Sequence, residues 1–209
     1  MLPLDTVPTF FVTALLLALA PGPDIIFVLT QSALYGMRAG VATTLGLISG
    51  LCFHTTIVAV GVAGLLMASP LAFGLLTLVG AAYLLYLAWL SFRAGASMAH
   101  LQESRFLGYG ALYRRGVFMN ITNPKVTLFF LAFLPQFCVP QRGSVALQVM
   151  ELGLLFMLAA FLVFTAVSAL GGRLALWFNS SPRGQMLMHR VAGLVFVVLA
   201  VMLVVSWLA

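Results

Sequence analysis

The sequence has 209 residues, of which 63% are hydrophobic and only 7% are charged, whereas soluble domains carry about a quarter charged residues. This composition predicts an all-α integral membrane protein and leaves no room for a separate catalytic module or a nucleic-acid-binding domain. The net charge of +6 lies mainly between the apolar runs, where membrane topology explains it better than a nucleic-acid partner does.

Six apolar runs follow one another, and each is long enough to cross a bilayer as a helix, which takes about 20 residues. The runs cover residues 7–34, 41–66, 70–92, 115–138, 145–172 and 189–208. We therefore expect one membrane transporter domain over residues 1–209. It would consist of a first repeat (about 1–93), a cytoplasmic connector (about 94–113) and a second repeat (about 114–209).

Basic side chains mark one side of the membrane. Eight of the ten Lys and Arg residues fall in the first, third and fifth loops, namely Arg38, Arg93, Arg105, Arg114, Arg115, Arg173, Arg183 and Arg190. The positive-inside rule assigns these loops to the cytoplasm. Both termini are then predicted to be periplasmic.

The first apolar run is interrupted by the stretch "ALAPGPDII", residues 18–26. Pro21 and Pro23 have no backbone N–H, so the carbonyls of Leu17 and Leu19 lose their helical hydrogen-bond partners. In lipid such carbonyls are tolerated only where protein or a water-filled cavity satisfies them. The break is therefore predicted to face the interior of the protein.

The fourth run contains a second interruption, "NITNPKVTLFF", residues 120–130. Asn123 followed by Pro124 is typical of an N-cap and the first residue of a helix, so a new half-helix should begin there. Asn120 adds a polar side chain beside this break. Helices 1 and 4 are thus both predicted to be broken at proline motifs.

The two breaks indicate an internal repeat. Pro23-Asp24 and Pro124-Lys125 are separated by the same offset of 101 residues, which divides six helices into two halves of three. Because three is odd, the second half enters the membrane from the opposite side, giving two inverted three-helix repeats. Transporters of this kind bind substrate near the membrane midplane, between discontinuous helices.

Opposite charges follow the two breaks at mid-membrane depth, about 21 Å and about 15 Å from the cytoplasmic arginines at 1.5 Å per residue. We expect Asp24 to contact the α-ammonium of an amino acid and Lys125 its α-carboxylate, and the two to pair when the site is empty. The other residues predicted to line this site are Pro21, Gly22, Pro23, Asn120, Asn123 and Pro124. Alternatively, Asp24 only caps its own half-helix and pairs with Lys125.

His54 shares one helical face with Gly46 and Gly50, and this G-x-x-x-G spacing favours close packing on a neighbouring helix. Two interpretations remain open for it. It is either a packed histidine bonded to a backbone carbonyl or a group that carries protons or contacts substrate, since histidine titrates near physiological pH.

Glu151 lies about two turns inside the fifth run. It is either a proton site in the outward vestibule or an interfacial carboxylate that pairs with Arg142. The candidates for proton coupling are therefore Asp24, His54 and Glu151.

No enzyme, metal or cofactor signature is present in the sequence, which lacks a His-Glu-x-x-His helix and a glycine-rich phosphate cradle. Cys52 and Cys138 both lie within apolar runs and are expected to be buried thiols without a disulfide. We therefore expect neither catalysis nor a cofactor.

Four segments resemble the LysE/RhtB family of bacterial amino-acid exporters: "APGPD", "GLCFHTTIVAVGVAGLL", "GAAYLLYLAW" and "NITNPKVTLFFLAFLPQF". The resemblance covers nearly the whole chain and is greatest to the homoserine, homoserine lactone and threonine branch, in which His54 has a counterpart. It implies a multi-pass protein of the bacterial inner membrane that exports an amino acid, driven by the proton gradient. The partners implied are a small amino-acid substrate, protons and the lipid bilayer, and a homo-oligomer is left open.

Two alternatives remain at this stage. A related branch carries electrons through paired membrane cysteines beside the proline breaks, but Cys52 and Cys138 are not adjacent to Pro21 or Pro124. A passive amino-acid channel would use the same pocket without proton coupling.

Overall fold

The computed structural model describes residues 2–3, 6–68, 70–94 and 106–208. Its α-helices are Thr6–Leu19 (α1), Pro23–Tyr35 (α2), Met37–Ala68 (α3), Pro70–Arg93 (α4), Tyr109–Ile121 (α5), Pro124–Leu128 (α6), Val145–Ser180 (α7) and Pro182–Leu208 (α8). The described residues contain no strand. The predicted all-α class is confirmed.

Four segments are long and apolar enough to cross a membrane: Met37–Gly61, Leu71–Arg93, Val145–Trp177 and Pro182–Leu208. Two further segments are bent pairs of helices. Thr6–Leu19 and Pro23–Tyr35 meet at 60°, and Tyr109–Ile121 and Pro124–Phe137 meet at 49°. The chain therefore has four candidate spans, or six if each bent pair is one span, and both bends fall at the predicted proline motifs.

The connector predicted over 94–113 falls largely outside the described residues, since nothing between 95 and 105 is described. Helix α5 begins at Tyr109, so the last residues assigned to the connector are helical. Helices α7 and α8 also extend beyond the apolar runs that predicted them, because a helix does not stop where the hydrocarbon core of a bilayer ends.

Each bent pair packs mainly against a long helix of the other half of the chain. Helix α5 lies along α3, α1 and α2 lie along α7, α3 also contacts α7, and α4 pairs with α8. The contact of α3 with α5 is very close, since a Cβ added to Gly46 would lie 2.1 Å from the Tyr113 carbonyl oxygen. The predicted glycine-mediated packing of α3 is thus confirmed.

An aromatic core supports the second bend. After α6 the chain forms a π-helical turn over Phe129–Phe133 and a 3-10 turn over Leu134–Phe137. The Leu134 N–H bonds back to the Phe129 carbonyl, and Pro135 has no N–H with which to continue the α-helical ladder. The Phe129 ring lies 5.2 Å from Phe156 of α7 and 5.0 Å from Phe133, and such pairs each contribute about 0.5–1.5 kcal/mol.

Candidate functional site

The first break consists of the turn between α1 and α2. The Ala20 N–H donates to the Leu16 carbonyl at 3.0 Å, the last bond of the α1 ladder. Gly22 is extended at φ −174° and precedes Pro23, the first residue of α2. Asp24 therefore lies in the first turn of α2, and its residue is only 8% exposed.

The second break is capped as the sequence predicts. The Asn123 side-chain oxygen accepts a hydrogen bond from the Lys125 backbone N–H at 3.0 Å, and Pro124 is the first residue of α6. Because Oδ1 of Asn123 is used for this cap, its NH₂ group is free to donate elsewhere. The cap thus orients the amide.

Asp24 is held by two amides from the second break. The Asn123 Nδ2 donates to Oδ1 of Asp24 at 2.9 Å, and the Asn120 Nδ2 donates to Oδ2 at 3.0 Å. Both asparagines are buried. Hydrogen bonds to an ionised group are stronger than neutral ones, so the carboxylate from the first half joins the two broken helices.

Lys125 makes the reciprocal contact, from the second half to the first. Its Nζ donates to the carbonyls of Leu17 at 2.9 Å and Ala20 at 3.0 Å. The Leu17 carbonyl is the one that Pro21 leaves without a helical partner, so the prediction of an orphaned carbonyl at this point is confirmed. No hydrogen bond joins Lys125 to Asp24 in the described chain, and each charge is instead bonded to neutral groups.

His54 contacts the second break from α3. Its Nε2 lies 3.1 Å from the Asn120 carbonyl oxygen, which Pro124 deprives of an α-helical donor and which also accepts from the Asn123 N–H at 3.0 Å. A carbonyl only accepts, so Nε2 is the protonated nitrogen. His54 is only 5% exposed. This geometry is that of a packed histidine bonded to a backbone carbonyl, the first of its two interpretations.

Glu151 is not brought together with the other predicted residues. It accepts a hydrogen bond from the Leu2 backbone N–H at 3.2 Å. It does not line the cavity that Asp24 lines. Along α7, Glu151 lies about 1.4 turns before the cavity-lining Phe156 and about 2.5 turns before Ala160, at 3.6 residues per turn.

A cavity of about 30 Å³ lies between the two breaks. Its polar lining comes from Asp24, Lys125 and the two asparagines, and its apolar lining includes Leu17, Ile25, Leu51, Val126, Phe156 and Phe164. The volume accommodates about one water molecule. A second cavity adjoins it, and Pro21, Pro23 and Pro124 line that one instead.

Sequence reasoning found the charges, the two amides that hold Asp24 and the Leu17 carbonyl that Pro21 orphans, but it did not identify the carbonyls of Ala20 and Asn120 as acceptors. For Asn120 the signal was present, because a proline in a helix leaves the carbonyl four residues earlier without its α-helical donor. Applied to Pro124, this rule identifies Asn120.

The structure also shows where the cysteines lie. Cys52 and Cys138 are free thiols, but the expectation that both are buried is wrong, since Cys52 is exposed and Cys138 is half-buried. The Cys52 Sγ lies 3.9 Å from the sulfur of Met157. Neither cysteine lines the cavity between the breaks. Among the described residues, no group of three His, Cys, Asp or Glu side chains could hold a metal ion.

Comparison with known proteins gives consistent matches over nearly the full length. A family model described as LysE type translocator matches residues 15–206. The chain is 34% identical over 194 residues to a homoserine/homoserine lactone efflux protein of Salmonella typhimurium and 32% identical over 194 residues to one of Salmonella typhi, and both matches cover 93% of each chain. It is also 32% identical over 187 residues, 90% of each chain, to an uncharacterized membrane protein of Vibrio cholerae. No solved structure matches it.

Proposed function

This chain belongs to the LysE type translocator family, and from that premise we propose that it exports a small amino acid or derivative similar to homoserine or threonine. Two relatives are named homoserine/homoserine lactone efflux proteins, which supports amino-acid efflux. We assign the protein to the bacterial inner membrane with both termini periplasmic, as the distribution of basic residues indicates. Export would be coupled to protons.

One observation carries the proposal for the site. A carboxylate and an ammonium from the two broken helices line the same cavity, and each is held by groups from the other half of the chain. Buried charges inside a membrane protein are costly and usually functional. A zwitterionic amino acid complements both, with its ammonium at Asp24 and its carboxylate at Lys125.

Substrate binding requires the two breaks to separate. A cavity of about 30 Å³ is too small for an amino acid, since it accommodates about one water molecule. For the substrate carboxylate to reach the Lys125 ammonium, that ammonium would leave the carbonyls of Leu17 and Ala20. Hydrogen bonds to charged groups contribute about 1.5–3 kcal/mol each, so the new ion pair can offset this loss.

Alternating access would follow from rocking one half of the chain against the other. The packing of each bent pair on a long helix of the other half is the pattern expected of two inverted three-helix repeats. We assign proton coupling first to Asp24, because protonation of its carboxylate would release the substrate ammonium. His54 and Glu151 remain candidates for relaying the proton, His54 because it contacts Asn120 beside that carboxylate.

Efflux from reconstituted vesicles tests this proposal, with a panel of amino acids that includes homoserine and threonine, each with and without a pH difference. Asp24→Asn should abolish both efflux and the counterflow of labelled substrate without a pH difference. The matched control Glu151→Gln removes a carboxylate outside the cavity and should retain counterflow, which requires substrate binding but no net proton movement. Efflux that persists in Asp24→Asn would contradict the proposed site. A passive channel would continue to equilibrate substrate after the proton gradient is collapsed, and an exporter would stop accumulating it.

A further inference from the structure

A second cavity of about 450 Å³ lies beside the first one. On one side it is lined by the proline motifs of both breaks, and on the other by α4 and α8, which contribute Tyr83, Ser91, His189 and Phe196. Gly22, Asn123 and Lys125 line both cavities. These three residues therefore form the partition between the small cavity and the large one.

The large cavity contains polar groups that its own walls do not satisfy. The described chain shows no hydrogen bond from the Tyr83 hydroxyl or the His189 imidazole, and the Ser91 hydroxyl donates only to the Leu87 carbonyl, at 2.8 Å. The Lys125 Nζ lies 5.6 Å from the centre of the Phe196 ring. A lipid-filled groove would leave the Tyr83 hydroxyl without a partner in hydrocarbon, which is unfavourable, so the lining favours water.

Three of its lining residues indicate the side on which the cavity opens. They are Ser91, Ala94 and His189. They adjoin Arg93 and Arg190 in sequence, which belong to the loops that the positive-inside rule assigns to the cytoplasm.

We propose that this cavity is the loading vestibule through which the substrate enters from the cytoplasm with its carboxylate first. His189 and Ser91 bind the carboxylate at the outer end, and Lys125 receives it at the partition. Arg93 and Arg190, next to these lining residues in sequence, raise the local concentration of the anionic end of the substrate. This inference rests on the proposed export of a zwitterionic amino acid.

The arrival of the carboxylate has a consequence for the small cavity. As Lys125 turns toward it, the carbonyls of Leu17 and Ala20 lose their donor. Both then face the small cavity beside Asp24 as free acceptors, and the substrate ammonium replaces the lysine ammonium there. The chain's own lysine thus occupies a cation site that the substrate takes over.

Thiol accessibility tests the vestibule. Ser91→Cys is made in a parent that carries Cys52→Ser and Cys138→Ser, and it is treated with a membrane-impermeant, negatively charged methanethiosulfonate in inside-out and right-side-out vesicles. The matched control is Trp89→Cys, two residues away on the same helix, where the side chain is 48% exposed and lines neither cavity.

Ser91→Cys should react only in inside-out vesicles and on the order of tenfold faster than with a positively charged reagent, because a basic cleft concentrates anions. The transported amino acid should slow the reaction. Reaction rates equal to those of Trp89→Cys, reaction from the opposite side, or no protection by a substrate that the parent exports would each overturn the vestibule. Failure of the proposed function appears separately, as the absence of amino-acid efflux by the cysteine-free parent.

A second variant examines the partition without disturbing the fold. A Cβ added to Gly22 would lie 3.5 Å from the Lys125 Nζ, which is an ordinary van der Waals contact. The backbone of Gly22 is extended, a conformation that any residue can adopt. Gly22→Ala should fold normally and label at Ser91→Cys as before, but transport several-fold more slowly because the passage between the cavities is narrower. Transport at the parent rate would contradict the role of the partition.

Discussion

The two helix breaks differ in how their free backbone groups are satisfied. The second break provides its own N-cap, since the Asn123 side chain accepts from the Lys125 N–H, and its Asn120 carbonyl accepts from the Asn123 N–H and from His54 of α3. The first break has Gly22 as N-cap and no side-chain cap, and its carbonyls depend on the lysine ammonium. A break whose carbonyls are bonded to a charged side chain can be opened by a competing charge, whereas a self-capped break does not depend on such a side chain.

The largest effect is expected at the first break, which depends on the Lys125 ammonium. Lys125→Ala removes the donor from two buried carbonyls, each of which then costs about 1–3 kcal/mol, and it removes the proposed carboxylate site. Efflux in vesicles should be abolished and the midpoint of thermal unfolding in detergent should fall. Lys125→Arg keeps the charge and the donors and should restore stability more than efflux. Loss of stability with normal efflux would reduce Lys125 to a structural role.

A smaller effect is expected from crowding the second break, which is self-capped. A Cβ on Gly50 would lie 2.7 Å from both Cβ and Oδ1 of Asn120, so Gly50→Ala should displace the amide that holds Asp24. Overpacking of this kind costs about 1–3 kcal/mol, and efflux should fall because the carboxylate loses a donor. Gly61→Ala is the matched control on the same helix, because nothing lies within 4 Å of its added Cβ. Equal effects of the two variants would show that helix α3 merely tolerates alanine poorly.

The smallest effect is expected from replacing His54 by another donor. Glutamine can still donate to the Asn120 carbonyl, so His54→Gln should retain stability within about 1 kcal/mol, the net contribution of one hydrogen bond. If the ring serves only as a donor, the pH dependence of efflux should match that of the parent. A shifted pH profile at unchanged stability would show that His54 is part of the proton path and not only a structural hydrogen-bond donor.

Much of the candidate site could be predicted from sequence because its determinants are local. Charged and polar residues beside proline motifs within apolar runs identified Asp24, Lys125, Asn120 and Asn123, and the structure gathers all four around one cavity. The same reasoning had Asp24 pair with Lys125, whereas the hydrogen bonds of both charges go to amides and carbonyls. Glu151 was predicted as a proton site in the outward vestibule or as a partner of Arg142, and it accepts a hydrogen bond from the Leu2 N–H outside this cavity.

The sequence by itself determined where helices form, where they break and which carbonyls are orphaned, because these follow from apolar run length and from the missing N–H of proline. Only the tertiary structure decided which side chain reaches each orphan. Lys125 reaches Leu17 and His54 reaches Asn120 because of the bend angles of the two broken helices and the close crossing of α3 and α5 at glycine. Hydrogen bonds act over about 3 Å, and distances of that order between remote segments are fixed by packing.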